Sequence, residues 1–315
     1  MTLIISKPDI NHLLLHNSHN VFYLRSLALI RKTFSTRKCK VMKKILFACD
    51  GKNFSEAGFD FIKWLSSLEP VKVTGVFFAS VNYQMLLATA IGGYADAYID
   101  YKEDNESEIK YSIGMFERGC KKNEIEYRIH RETEFWNLDE IAKETRFADL
   151  LVISSAQFRT DFNYDHPNSY LKQTIHSAEC PVIVVPDHFE APSEILLAYD
   201  GKKDSLYAMK QFCYLFPELT RLPANIVYIK DEDTATIPSL GFLSEYAACH
   251  FSELNIEKMH FAAKTFFPAW AAEEKNKLVV TGSYGRSGIS GMLSKSFAEE
   301  IIRNNNLPVF IAHQN

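Results

Sequence analysis

A glycine-rich stretch near the carboxyl terminus is the part of the sequence best suited to hold a charged ligand. After Thr281 the chain reads Gly-Ser-Tyr-Gly-Arg-Ser-Gly-Ile-Ser-Gly, which begins with Gly282 and Gly285. Glycine lets a backbone approach an anion closely, and the start of a following helix offers free N–H groups. Ser296 stands three residues before Glu299, which is the spacing of a helix capping box. Phosphate binding and helix capping both remain open for Ser296.

Two acidic residues stand at the ends of predicted strands and could complete such a site. Asp50 ends the apolar run Lys44–Cys49, Asp200 ends the run Ile195–Tyr199, and each is followed by Gly-Lys. A carboxylate in this place can accept hydrogen bonds from ribose hydroxyl groups. Asp-Gly is also a common turn pair that favours the start of a helix. The residue types leave both interpretations open.

The first half of the chain lacks a counterpart of the glycine-rich stretch. Residues 154–165 occupy the matching place and contain no glycine, whereas Asp161 and Asp165 add negative charge. Close approach of an anion is therefore disfavoured by sterics and by charge. We do not expect this half to hold a triphosphate.

Other site chemistries find little support in the sequence. The Asp-Gly-Lys turns lack the upstream glycine and the Ser or Thr after Lys that a P-loop needs. The ten histidines show no metal-ligand spacing, and the six cysteines form no CxxC pair. No Ser-His-Asp or Cys-His motif is evident. We therefore expect no metal, no catalytic residue, and reduced thiols in a cytoplasmic protein.

An internal repeat organises the elements that must position these residues. Residues 45–55 (ILFACDGKNFS) and 195–205 (ILLAYDGKKDS) are identical at seven of eleven positions, 150 residues apart. The ends match as well, since Pro-Val-Ile-Val-Val at 181 corresponds to Pro-Val-Phe-Ile-Ala at 308. The chain is predicted to hold two domains, residues 42–187 and 192–315, joined by the linker His188–Ser193.

Each repeat alternates apolar runs of strand length with segments of helical spacing. Strands that are apolar on both faces indicate a parallel sheet covered by helices on both sides. Right-handed crossovers then predict an α/β fold with two tandem doubly wound, Rossmann-like five-stranded sheets, each in the order 3-2-1-4-5. The long connection 80–101 is predicted to be a loop or part-helix over the ligand edge.

The first 41 residues differ in charge from the rest of the chain. Residues 1–40 carry seven basic residues and one acid, so the remainder must carry about −10 within the total of −4. Such a segment is typical of a transit peptide or of sequence upstream of a start at Met42, which we favour because Met42-Lys-Lys precedes the first strand. This leader is predicted to lie outside the fold. The pI of 6.2 argues against a nucleic-acid partner, and no apolar run reaches the roughly 20 residues of a membrane helix.

Both repeats resemble the universal stress protein family, most strongly in the first strand, Ile-Leu-Leu-Ala-Tyr-Asp-Gly, and in the stretch from Gly282 through Ser296. The resemblance implies an adenine nucleotide alpha hydrolase-like fold. In ATP-binding members the motif is glycine, two residues, glycine, nine residues, glycine, then Ser or Thr. Gly282, Gly285 and Ser296 match it, whereas Lys295 replaces the third glycine. By the same resemblance Asp200 contacts the ribose and Ile229 contacts the base.

The resemblance also predicts how the chain works. The second repeat would bind ATP or another adenine nucleotide, and the first, which keeps Asp50 of the motif, would be degenerate. The two units would pack through their last strands, Pro181–Val185 and Pro308–Ala312, as an internal pseudo-dimer, with a homodimer of the chain left open. The alternative is a nucleotide-free scaffold that acts through an unidentified protein partner. An enzyme is the least favoured class.

Overall fold

A computed structural model describes residues 42–50, 54–79, 95–135, 138–155, 169–229, 236–259, 274–282, 301–302 and 307–314. The predicted leader and most of the glycine-rich stretch lie outside these residues.

The first repeat has the alternation of strands and helices that the apolar pattern predicts. The connection after β2 ends in a helix that begins at Ala95, earlier than the predicted Lys102, so the part-helix interpretation of residues 80–101 is confirmed for residues 95–101. The elements of this repeat are β1 Lys43–Asp50, α1 Glu56–Leu68, β2 Val71–Ala79, α2 Ala95–Lys122, β3 Glu126–Phe135, α3 Leu138–Thr145, β4 Leu150–Ser154, α4 Ser169–Ser177 and β5 Val182–Val185.

The second repeat follows the same order in its described residues. Its described elements are β6 Glu194–Tyr199, α5 Lys203–Leu215, a 3₁₀ turn Leu219–Arg221, β7 Ala224–Ile229, α6 Leu240–Ala248, β8 Leu254–Met259, β9 Lys277–Thr281 and β10 Val309–Ile311.

All ten described strands form one sheet in the order β3-β2-β1-β4-β5-β10-β9-β6-β7-β8. Each half therefore has the predicted order 3-2-1-4-5, and every pairing within a half is parallel. The halves join through β5 and β10, which pair antiparallel. The two predicted five-stranded sheets are thus halves of one continuous sheet, and the predicted internal pseudo-dimer is confirmed.

The junction of the two halves is nearly symmetric. Ile183 pairs with Phe310, its own counterpart in the repeat, and the flanking pairs lie at equal distances along the two strands. The residues of β5 and β10 are buried. Each last strand therefore covers the edge that the other would leave unpaired.

The hydrophobic core is shared between the halves. Phe61 of α1 contacts the linker residue Phe189 at 5.4 Å between ring centroids, and Phe212 of α5 contacts Phe310 of β10 at 5.6 Å. Phe61, Phe212 and Phe310 are fully buried in one cluster that runs across both repeats. Burial of a Phe side chain contributes roughly 1.5–3 kcal/mol, so each of these residues contributes to the stability of the shared core.

The amino-terminal ends of the central strands carry an acidic and a basic residue in each repeat, and the two residues exchange places between the repeats. In the second repeat Glu194 of β6 pairs with Lys277 of β9 at 3.1 Å, and Lys277 also contacts Glu274 at 2.7 Å. In the first repeat the basic residue is on the other strand: Lys44 of β1 donates its backbone N–H to Asp149 Oδ2 at 2.8 Å. Burial lowers the pKa of Lys277, but the two glutamates raise it more, so that its net shift is upward.

Within the described part of the chain, no helix has both the length and the apolar character needed to cross a membrane.

Candidate functional site

The second repeat has its crevice where the strand order reverses, beyond the carboxyl ends of β6 and β9. Ligands of doubly wound sheets bind at such a point. Asp200 directly follows β6, Gly282 directly follows β9, and Ile229 is the last residue of β7, the neighbour of β6. The fold therefore brings three of the predicted site residues to one edge of three nearby strands.

The carboxylate of Asp200 is held by the turn that follows it. Its Oδ1 accepts hydrogen bonds from the backbone N–H of Lys202 at 2.9 Å and from the hydroxyl of Ser205 at 2.8 Å. Its Oδ2 lies 3.8 Å from Lys202 Nζ, and the side chain is 24% exposed. The turn-forming interpretation of Asp200 is therefore correct. It does not exclude ligand binding, because the bonds to the turn engage Oδ1.

Ser205 closes this turn from the first part of α5. Its hydroxyl oxygen lies 2.8 Å from Asp200 Oδ1 and 2.9 Å from the carbonyl oxygen of Lys202, so the single hydroxyl proton is shared between two acceptors. The backbone N–H of Asp200 points back to Ser205 Oγ at 3.5 Å. The side chain of Ser205 is buried.

The turn is also fixed from outside by the segment before α6. Gly201 has a φ of +80°, a conformation that favours glycine, and a Cβ there would lie 2.7 Å from Pro238 Cγ. Tyr199 donates its hydroxyl to the carbonyl oxygen of Pro238 at 3.0 Å. Burial raises the pKa of Tyr199, and the nearby charge of Asp200 adds to the shift. The tyrosine therefore stays protonated and keeps this hydrogen bond.

Gly282 has a packing role that the sequence pattern did not suggest. It is buried, and a Cβ added to it would lie 2.2 Å from the carbonyl carbon of Asp204 and 2.4 Å from the backbone nitrogen of Ser205. The glycine was predicted to let the backbone approach an anion. In the structure it lets the end of β9 approach the first turn of α5.

The first repeat differs at the matching positions. Ile45 pairs with Leu150 and Ile195 pairs with Leu278, so Ser154 is the structural counterpart of Gly282. Ser155, like Ser154, is buried at the end of β4. The buried side chain of Ser154 stands where the second repeat has none.

The remaining predicted residues are described less completely. Gly285, Lys295 and Ser296 lie outside the described residues, so their roles stay predictions. Ile229 is described as the end of β7 and Asp50 as the end of β1, but their side chains are not. Among the described residues, no group of three or more His, Cys, Asp or Glu side chains could hold a metal ion.

Sequence reasoning missed Ser205 and Pro238 as parts of the site. Ser205 did carry a signal, because it is one of the seven residues shared by the two repeats, with Ser55 as its counterpart. Pro238 carried none, since its contact with Gly201 joins segments that are far apart in the chain.

Comparison with known proteins agrees with this fold. No protein-family model matches the chain. Universal stress protein Slr1230 of Synechocystis is 22% identical over 285 residues, which cover 85% of this chain and 99% of that protein.

Solved structures match over a similar share of the chain. A universal stress protein from Archaeoglobus fulgidus superposes with a TM-score of 0.63 at 15% identity, covering 87% of this chain and 97% of that one. PA1789 of Pseudomonas aeruginosa, described as functionally unknown, matches with a TM-score of 0.50 at 11% identity over 87% and 93%. At these identities the structures show the fold. This chain is thus similar in sequence to a universal stress protein along nearly the whole length of that protein, and it shares the fold of a solved universal stress protein, with two repeats in one chain.

Proposed function

We propose that the second repeat binds ATP or another adenine nucleotide in the crevice beyond β6 and β9. The chain then acts in the cytoplasm as a non-enzymatic stress-response protein, and the bound nucleotide changes its contacts with a protein partner.

The observation that supports this proposal is the hydrogen bonding and partial exposure of the Asp200 carboxylate. One oxygen is fixed by Lys202 and Ser205, and the side chain remains partly exposed at the point where the strand order reverses. A fixed carboxylate at this point is suited to accept hydrogen bonds from the ribose hydroxyl groups. Ile229, at the end of the neighbouring strand, is suited to contact the base, and the glycine-rich stretch after β9 to contact the phosphates.

We expect the first repeat not to bind a nucleotide. Its segment 154–165 contains no glycine and two acids, and the buried Ser154 replaces Gly282. We also assign no residue as a general base. Asp200 is assigned to the ribose and the glycine-rich stretch to the phosphates, so we expect any hydrolysis to be slow.

A second candidate is a scaffold that binds no nucleotide. One observation favours it: the contact between Gly282 and Asp204 explains the glycine without any ligand. Lys295, in the place of a glycine of the family motif, also favours it. In this case the glycine motif is a structural remnant and the chain acts through its protein partner alone.

The experiment that separates the two candidates uses the purified full chain. Small molecules released by acid denaturation are identified by mass spectrometry, and ATP binding is then measured by titration calorimetry. The binding variant is Asp200→Asn, which keeps an oxygen for Ser205 and Lys202 but replaces the second oxygen by an amide donor. Asp50→Asn is the matched control in the other repeat.

We expect an adenine nucleotide in near-stoichiometric amount and a loss of affinity of about tenfold or more in Asp200→Asn. A hydrogen bond to a charged group contributes about 1.5–3 kcal/mol, and 1.4 kcal/mol corresponds to a factor of ten. Asp50→Asn should bind ATP as the unchanged chain does. Absence of both released nucleotide and binding heat would support the scaffold instead, and equal losses in the two variants would refute the assignment to the second repeat.

A further inference from the structure

We propose that Ser205 is a positioning residue for the nucleotide site, and that Gly282 allows it to take this place. The inference rests on the proposed function. It concerns selectivity for ribose: Ser205 holds Asp200 so that the site discriminates between nucleotides with and without ribose hydroxyl groups.

The first step is the pair of contacts between Ser205 and Asp200. The Ser205 hydroxyl donates to Asp200 Oδ1 at 2.8 Å, and the Asp200 backbone N–H approaches Ser205 Oγ at 3.5 Å. Together with the bond from the Lys202 N–H, these contacts fix the carboxylate plane. An unfixed carboxylate would have to be ordered when the ligand binds, at a cost in affinity.

The second step is the approach of α5 to β9. The backbone of Asp204 and Ser205 lies so close to Gly282 that a Cβ at that position would lie 2.2–2.4 Å from three backbone atoms. The first turn of α5, which carries Ser205, can therefore occupy its position only opposite a residue without a side chain. Gly282 thus acts on Asp200 through Ser205, although 82 residues separate Gly282 from Asp200 in the chain.

The third step is the contrast with the first repeat. There Ser154 replaces Gly282, and α1 begins at Glu56, whereas α5 begins at Lys203, three positions earlier in the repeat numbering. Ser55, the counterpart of Ser205, is the N-cap of α1 and accepts a hydrogen bond from the Gly58 N–H at 3.0 Å. Ser55 therefore precedes its helix as the N-cap, whereas Ser205 lies inside the first turn of its helix and holds the Asp200 carboxylate.

The test compares ATP with 2′,3′-dideoxy-ATP, which lacks both ribose hydroxyl groups. Titration calorimetry measures both nucleotides on the full chain and on Ser205→Ala, Ser205→Thr and Ser55→Ala. Thermal melting of each variant shows that it is folded.

We expect Ser205→Ala to weaken ATP binding about fivefold, the effect of losing one typical hydrogen bond, and to leave dideoxy-ATP binding unchanged. Ser205→Thr keeps a hydroxyl and should keep the discrimination. Ser55→Ala should lower the melting temperature through the lost cap and leave both affinities unchanged.

Three results would overturn the inference. Equal weakening of both nucleotides by Ser205→Ala would make Ser205 a purely structural residue, and an unchanged preference for ATP in that variant would remove its role altogether. The second of these results means that the affinities for both nucleotides stay as they are in the unchanged chain, and either result leaves the proposed function standing. If the full chain binds neither nucleotide, the proposed function fails and the inference fails with it.

Discussion

Replacing Gly282 by alanine tests the close contact between β9 and α5. The added Cβ would lie 2.2 Å from the carbonyl carbon of Asp204, 2.4 Å from its oxygen and 2.4 Å from the nitrogen of Ser205, whereas ordinary contacts of a Cβ are 3.4–4 Å. All three neighbours are backbone atoms, so no side chain can rotate away. The first turn of α5 must move by about 1 Å, and the hydrogen bonds of Ser205 move with it.

The size of the effect follows from this geometry. Overpacking of a well-packed interior costs about 1–3 kcal/mol, and we expect a value near 3 kcal/mol because backbone has to move. In a domain of 150–250 residues, each kcal/mol lowers the melting temperature by about 2–4 °C. Gly282→Ala should therefore lower the melting temperature by roughly 6–12 °C.

Gly241→Ala is the matched control. Gly241 lies in α6, and a Cβ there would meet no atom within 4 Å. Alanine should raise stability at this position by up to about 1 kcal/mol through helix propensity. Both variants are measured by thermal melting and by denaturant unfolding. A Gly282→Ala protein as stable as the unchanged chain would refute the packing role of this glycine.

Two further predictions concern charge and thiol chemistry. Lys277→Met removes the partly buried counter-ion of Glu194 and Glu274, and we expect the free energy of unfolding to fall by about 2 kcal/mol. The exposed pair of Lys110 with Glu106 is the control: Lys110→Met should lower the free energy of unfolding, measured in urea, by less than about 0.5 kcal/mol. Because the pKa of Lys277 is raised in the folded protein, its contribution to stability is present below the ordinary lysine pKa of about 10.4 and is lost as the pH rises further. A free energy of unfolding that does not fall above this pH would contradict the stabilising role of Lys277. Iodoacetamide at pH 8 should modify the exposed Cys249 and spare Cys213, because burial covers the Cys213 thiol and raises its pKa to about 11. Peptide mass spectrometry of the native protein measures both sites, and equal rates at the two cysteines would show that the helices around Cys213 open readily.

Much of the fold was predictable because it follows from local sequence patterns and from an internal repeat. Apolar runs of strand length alternate with helical segments, and this pattern with right-handed crossovers leads to the order 3-2-1-4-5 in each half. The shared segment at 45–55 and 195–205 revealed the duplication, and it placed Asp50 and Asp200 at equivalent strand ends. The resemblance to a family predicted that the last strands would join the halves.

The roles of individual residues at the site were decided by tertiary structure. A glycine followed by a polar segment is compatible with an anion site or with close packing, and the sequence does not say which atoms face it. The structure places Asp204 against Gly282, although the two are 78 residues apart. Ser55 and Ser205 are the same residue in the same repeat position, yet Ser55 precedes α1 as its N-cap, and Ser205 lies in the first turn of α5, where it binds Asp200. In the second repeat the first turn of α5 packs against Gly282, a contact between distant segments. Hydrophobic periodicity indicates where a helix forms, but contacts of this kind decide what its first turn can hold.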